Sequence, residues 1–133
     1  MATTRFRGPV LQGKFNEAGV TGYNLNEKKV ATAVAIGDSG MTFTSPSGSP
    51  TFTLPAVAAN EGSVFTFVNT GSDGSNGIVV TGAAGEFITY KGVVAQITLT
   101  NTLATSKVGD FCKIGGNAAG TAWQVLDIQG TWA

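Results

Sequence analysis

Residues 41–54 read MTFTSPSGSPTFTL, two short runs that mix aromatic or aliphatic side chains with threonine, divided by Ser-Pro-Ser-Gly-Ser-Pro. In the second run Phe52 and Leu54 fall on one face and Thr51 and Thr53 on the other. That is the period-2 signature of a strand with one face buried. The proline, glycine and serine cluster between the runs is a turn signal that ends one strand before the next begins. The same arrangement recurs toward the C-terminus. Candidate strands are VFTFVN (64–69), GIVVT (77–81), EFITY (86–90), QITLTN (96–101), DFCKI (110–114) and WQVLDI (123–128), together with MTFTS (41–45) and TFTL (51–54). Gly-Ser-Asp-Gly-Ser-Asn-Gly, Gly-Ala-Ala-Gly and Gly-Gly-Asn-Ala-Ala-Gly separate them, at the roughly 8–12 residue spacing of sandwiches and barrels. AVAANEG (56–62) reads as a single helical turn. No full amphipathic helix and no internal repeat of fixed period is present. The pattern predicts an all-β, antiparallel β-sandwich of jelly-roll-like form over residues 31–133.

Composition agrees with that class. Of 133 residues, 19 are glycine and 18 threonine, while only 12% are charged. Glycine is thus about twice its usual share and charge about half. Threonine suits a half-exposed pleated face, and glycine supplies the positive-φ corners. Net charge is zero but uneven. Arg5, Arg7, Lys14, Lys28 and Lys29 against Glu17 and Glu27 give residues 1–30 a balance of +3, and the remainder carries −3. This is too weak for a nucleic-acid footprint, which needs clustered cations to displace counterions from phosphates. No apolar run approaches the ~18 residues of a membrane span. MATTRFRGPV lacks the apolar stretch of a signal peptide. The expectation is a soluble chain made in a cytoplasm.

Residues 1–30 have a different character from residues 31–133. Phe6, Val10, Leu11, Phe15 and Tyr23 are isolated apolar positions without period, and Gly8-Pro9 and the later glycines interrupt any element. They read as an extended N-terminal arm that orders against a partner. A first strand packed on its own domain is the alternative reading. By burial and charge logic, Arg5, Phe6, Arg7, Phe15 and Tyr23 are the candidate arm contacts.

Catalysis finds little foothold. Histidine is absent, which removes the usual general base and the commonest metal ligand. Cys112 is the lone cysteine and sits in an apolar strand, so neither a disulfide nor a cysteine metal cage is available. Asp73-Gly-Ser-Asn76 has too few oxygens for a calcium loop, and Asn76-Gly77 reads as a tight hairpin turn. Gly8 to Lys14 matches half of a phosphate-binding loop, but Phe15 stands where its hydroxyl belongs and no helix follows. The reading is a non-enzyme with no cofactor and no metal. Aromatic side chains on a β-surface can stack on sugar rings, which makes Tyr23, Tyr90, Trp123 and Trp132 candidates for carbohydrate contact.

Both tryptophans lie in GTAWQVLDIQGTWA (120–133). Trp123 opens an alternating strand and reads as a core anchor. Trp132 follows the Gly130 break, and is expected to pack across a sheet edge or a subunit interface.

Residues 62–133 resemble a module of small virion proteins of tailed bacteriophages. The resemblance rests on Phe67-Val68-Asn69-Thr70-Gly71 closing a strand, on Gly109-Asp110-Phe111-Cys112-Lys113-Ile114, on the Gly-rich turn 115–120, on Trp123, and on Gly130-Thr131-Trp132. It implies a capsid decoration (cement) protein on the capsid exterior, assembled in the host cytoplasm. Its partner would be the major capsid protein, bound by a dimeric or trimeric homo-oligomer without nucleic acid or membrane. The alternative is a head or tail fibre or spike component that binds host glycan or protein. The absence of a long repetitive shaft favours decoration.

Overall fold

A computed structural model describes residues 25–133, except for the side chains of residues 94 and 95. The chain is all-β. Its strands are β1 (Leu25–Glu27), β2 (Thr32–Ala33), β3 (Thr42–Ser45), β4 (Thr51–Thr53), β5 (Val64–Asn69) and β6 (Val79–Thr81). They continue with β7 (Phe87–Tyr90), β8 (Val93–Gln96), β9 (Thr98–Thr100), β10 (Phe111–Gly116) and β11 (Ala122–Gln129). Short 3-10 turns link several of them, one at Val57–Ala59 within the segment read as a helical turn.

The strands form two sheets, one ordered β1-β3-β5-β10-β11-β7-β8 and the other β2-β4-β6-β9. From β1 to β6 the chain alternates between them, so β1, β3 and β5 run parallel in the larger sheet and β2, β4 and β6 run parallel in the smaller. This half of the molecule is a coil in which each turn contributes one strand to each sheet. The rest is laid on antiparallel: β10 pairs with β5 and β11, β9 with β6, and β8 with β7. β11 and β7 pair in parallel.

The uniformly antiparallel arrangement expected from the sequence is therefore corrected, because five of the nine strand pairings among the described residues are parallel. Alternation fixes which side chains face inward, but it carries no information on whether a turn reverses the chain within a sheet or carries it across to the other. MTFTSPSGSPTFTL does the latter: its first run is β3 in one sheet and its second is β4 in the other. So does the 70–78 connection between β5 and β6, so Asn76-Gly77 is not a hairpin corner. The coil leaves no sequence repeat because its turns are unequal. Leu25 stands opposite Thr42 and Thr42 opposite Thr66, while Thr32 stands opposite Phe52 and Thr51 opposite Val79.

Three strands go beyond the sequence expectation. β1 lies in the segment read as arm, where its three residues are too few to show a period. β2 has two residues. β8 follows β7 through Lys91-Gly92, both at positive φ (50° and 78°), the two-residue turn whose twist matches antiparallel strands.

One core joins the sheets. Phe43 and Phe67 from the larger sheet meet Phe52 from the smaller, with ring centroids 4.9 to 5.5 Å apart. Phe65, Ile88, Ile114, Cys112, Trp123, Val80 and Leu99 are buried around them. Tilted and offset ring pairs add about 0.5–1.5 kcal/mol each beyond area burial. Phe52 is the smaller sheet's contribution to this triad and is fully buried. Phe52→Ala should lower the unfolding free energy by about 3–5 kcal/mol. Phe87→Ala, which removes a 40% exposed ring, should cost less than about 1 kcal/mol in the same urea titration.

Candidate functional site

At one end of the two sheets the core gives way to a buried polar cluster. Ser45, Asn69, Asn76 and Asn101 are all fully buried and Asp110 is 3% exposed. Each strand-borne member continues an inward-facing row: Ser45 after Phe43, Asn69 after Phe65 and Phe67, Asn101 after Leu99, and Asp110 ahead of Cys112 and Ile114. A polar side chain at such a position must be satisfied by the protein, because no bulk water reaches it.

Asn69 meets that condition completely. Its Nδ2 donates to the Asn76 carbonyl (2.6 Å) and to Asn101 Oδ1 (2.9 Å). Its Oδ1 accepts from the Gly71 amide (2.9 Å) and from Asn76 Nδ2 (3.1 Å). Asn76 Nδ2 also donates to the carbonyl and hydroxyl oxygens of Ser45 (2.9 and 3.2 Å), and Asn76 Oδ1 accepts from the Ser49 amide (2.8 Å). Asn101 Nδ2 donates to Asp110 Oδ2 (2.9 Å) and to the Thr131 carbonyl (3.1 Å). The Lys107 amide donates to the same Asp110 oxygen (2.9 Å). The cluster thus clasps the ends of β3, β5, β9 and β10, two long connections and the C-terminal segment.

Asn69 and Gly71, Asp110, and Gly130 with Thr131 come from three stretches far apart in sequence and meet in one clasp. Gly130 has φ +99°, and a Cβ there would run into the Asp110 carboxylate. Residues 131–133 lie along β9: the Thr100 and Ala133 backbones exchange hydrogen bonds (2.7 and 2.9 Å), and Thr102 N–H donates to the Thr131 carbonyl (3.0 Å). Trp132, expected at a sheet edge or subunit boundary, thus lies across the β9 edge of its own chain. It is 3% exposed and donates from Nε1 to the Gln129 carbonyl (2.8 Å), which leaves little of the ring for a neighbour.

A second tie lies outside the clasp. Asp73 accepts from the Val108 amide (3.0 Å) and from Lys107 Nζ (3.2 Å), joining the 70–78 and 101–110 connections. The Val108 amide, then Lys107, hold its carboxyl below the usual carboxylate range. No calcium-type arrangement forms around it, and no group of three metal-ligating side chains occurs among the described residues.

The aromatic candidates separate. Trp123 is a fully buried core residue, tilted against Phe65 with centroids 5.6 Å apart, and its Nε1 has no hydrogen-bond partner among the described residues. Tyr90 is half-buried at the edge of an open groove of about 550 Å³. The groove lies where β7 parts from β11, between Thr89, Tyr90 and Lys91 on one side and residues 124–128 on the other. Lys91 Nζ stands 4.9 Å from the Tyr90 ring centroid. Cys112 faces the core from β10, and burial pushes its thiol well up, away from the reactive thiolate. Arg5, Phe6, Arg7, Phe15 and Tyr23 lie outside the described residues.

No protein-family model, curated protein or solved structure matches the chain. No helix among the described residues is long and apolar enough to cross a membrane.

The clasp escapes a reading of the sequence because its members, taken singly, are turn residues and strand ends. The available signal is polar side chains in register with apolar ones on the core-facing row of a strand. The Asp73 tie makes a separate prediction. A carboxylate with a lowered pKa stabilises the fold only while ionised. The stability advantage of the wild type over Asp73→Asn should therefore hold from neutral pH down to the ordinary value of 3.8 and shrink as pH falls further. Paired urea titrations across that range measure it.

Proposed function

We infer that the chain is a virion structural protein that decorates the outside of a bacteriophage capsid, with a body of the β-sandwich type and residues 1–24 as its gripping arm. The observation that carries this reading is the outward face of the larger sheet. There Leu25, Phe87 and Leu126 are 57%, 40% and 53% exposed, and Val64, Val68 and Phe111 are half-buried. Val68 pairs directly with Phe111, and Leu126 lies across Gly115, whose missing side chain makes room for it. Lys113 stands opposite Asp127, so the central strands add no net charge to this face. A broad sheet surface of this kind is suited to burial against another protein, and a stable interface needs about 1,200–2,000 Å² in total.

The arm adds to it. β1 forms an edge of the same sheet, and the arm directly precedes it in sequence. With Arg5, Arg7 and Lys14 against Glu17 they carry net positive charge, which complements an acidic capsid surface. The partner is the major capsid protein, and self-association as a dimer or trimer multiplies the contacts. Decoration requires no chemistry: internal pressure must break additional interfaces before the shell opens. The resemblance of residues 62–133 to phage virion modules supports the same class.

The Tyr90 groove favours a second reading, a fibre or spike component with a sugar-stacking site. One experiment separates the two. Wild type, a variant lacking residues 2–24, and Tyr90→Ala are mixed with empty shells and sedimented, and are also applied to a glycan array. Decoration predicts that the arm deletion weakens shell binding at least about tenfold, the equivalent of one strong contact, while Tyr90→Ala binds shells as wild type does. Undiminished shell binding without the arm overturns the arm's role, and glycan retention lost in Tyr90→Ala supports the second reading.

A further inference from the structure

We propose that Asn76-Gly77 is a latent deamidation site, held unreactive by the clasp and released when the clasp opens, so that unfolding of this protein becomes chemically irreversible. The chain contains one Asn-Gly pair, and it is this one. An asparagine followed by glycine is the sequence most prone to the reaction, since no side chain on the second residue hinders attack.

The reaction is self-contained. The Gly77 amide nitrogen loses its proton and attacks Asn76 Cγ, and Nδ2 leaves as ammonia with closure of a five-membered succinimide. Water then opens the ring to aspartate or isoaspartate. No oxidant or cofactor is needed.

Every participant is restrained in the fold. Gly77 N–H donates to Ser49 Oγ (3.0 Å), so the attacking nitrogen is committed elsewhere. The leaving amide, Asn76 Nδ2, donates to Ser45 O, Ser45 Oγ and Asn69 Oδ1, and Asn76 Oδ1 is held by the Ser49 amide (2.8 Å). The side chain is fully buried, away from the water that the second step consumes. Rotation of Cγ toward the Gly77 nitrogen would break these bonds together.

Neither residue is free to be something safer. A Cβ at position 77 would lie 2.7 Å from the Asn101 carbonyl oxygen, so close packing demands glycine. At position 76 the donors must reach Ser45 and Asn69, so the clasp demands an amide. Deamidation replaces that amide by a carboxylate facing two acceptors, the Ser45 carbonyl and Asn69 Oδ1, beside a Ser45 hydroxyl that donates to the Ser47 carbonyl. The product cannot rebuild the clasp, and the isoaspartate form also lengthens the backbone there.

The test holds the full chain at mildly alkaline pH, native and in urea, and maps peptides covering Asn76 for the mass gain of amide-to-carboxyl conversion. Conversion in the native chain should be roughly 10³-fold slower than in urea, because the reactive conformer is reached only through opening. On dilution from urea, the converted fraction should fail to regain the native fluorescence that the unconverted fraction recovers. Ser49→Gly removes the oxygen that holds the Gly77 amide, at a position of φ +44° that glycine adopts freely. It should stay folded and convert natively about tenfold faster than wild type, in keeping with one lost hydrogen bond. Equal rates in native and urea-treated wild type, or a converted chain that refolds, would overturn the proposal. A Ser49→Gly rate equal to the native wild type would remove Ser49 as its guard.

Discussion

Asn69 has two donor and two acceptor positions on its side chain, and the fold uses all four within the protein interior. The rest of the structure depends on that closure. β5, which Asn69 ends, is the strand where the two halves of the molecule meet: it pairs parallel with β3 on one side and antiparallel with β10 on the other. The Asn69 backbone continues the junction, since its amide donates to the Asp110 carbonyl and its own carbonyl accepts from the Gly109 amide, both at 2.8 Å. A buried amide left half-satisfied costs about 1–3 kcal/mol for each orphaned group. Through Asn76 and Asn101, this side chain joins the coil, the returning strands and the C-terminal segment in one hydrogen-bond network.

Such coupling lets a chain with short strands and many glycines hold a single arrangement. A slip of one residue would turn the buried phenylalanines toward solvent, so the apolar core already sets the register. The network of directional donors and acceptors reinforces it at the strand ends, because the same slip would turn each polar group away from its partners. The same network leaves no room for a side chain at Gly71, Gly77 and Gly130. At each of these, a side chain would strike Asn76 or Pro46, Asn101, or Asp110 respectively.

Much of the fold is legible in the residues. All eight candidate strands exist, and Phe52, Leu54 and Trp123 lie in the core. Alternation puts Ile97 and Leu99 on one face, yet only Leu99 is buried and Ile97, just ahead of β9, is 45% exposed. Strand direction is not legible, because parallel and antiparallel neighbours impose the same alternation on a strand with one buried face. The coil's unequal turns conceal its repetition. Asn76-Gly77 misleads for a physical reason: the pair favours a tight turn locally, but here a buried network overrides the local preference and uses both residues for packing. Trp132 stands so near the terminus that an internal position looks out of reach, yet three residues laid along β9 are enough to bury it. The candidate arm residues before Leu25 lie outside the described part of the chain, so their role rests on charge and sequence pattern.

For the proposed role on a capsid, the consequence is mechanical. A decoration protein transmits load between shell subunits, so its own ends must not open before its interfaces do. The clasp lies where the long connections and the C-terminal segment would otherwise loosen first. Native-state hydrogen exchange tests that claim most directly, at the Asn69, Gly71 and Asn101 amides, which are bonded to Asp110 O, Asn69 Oδ1 and Ile78 O. These three amides should exchange with the same opening free energy as the Phe67 amide in the core, because the clasp and the sheets open as one unit. Exchange at Gly71 and Asn101 through local opening, at free energies well below that of Phe67, would contradict it.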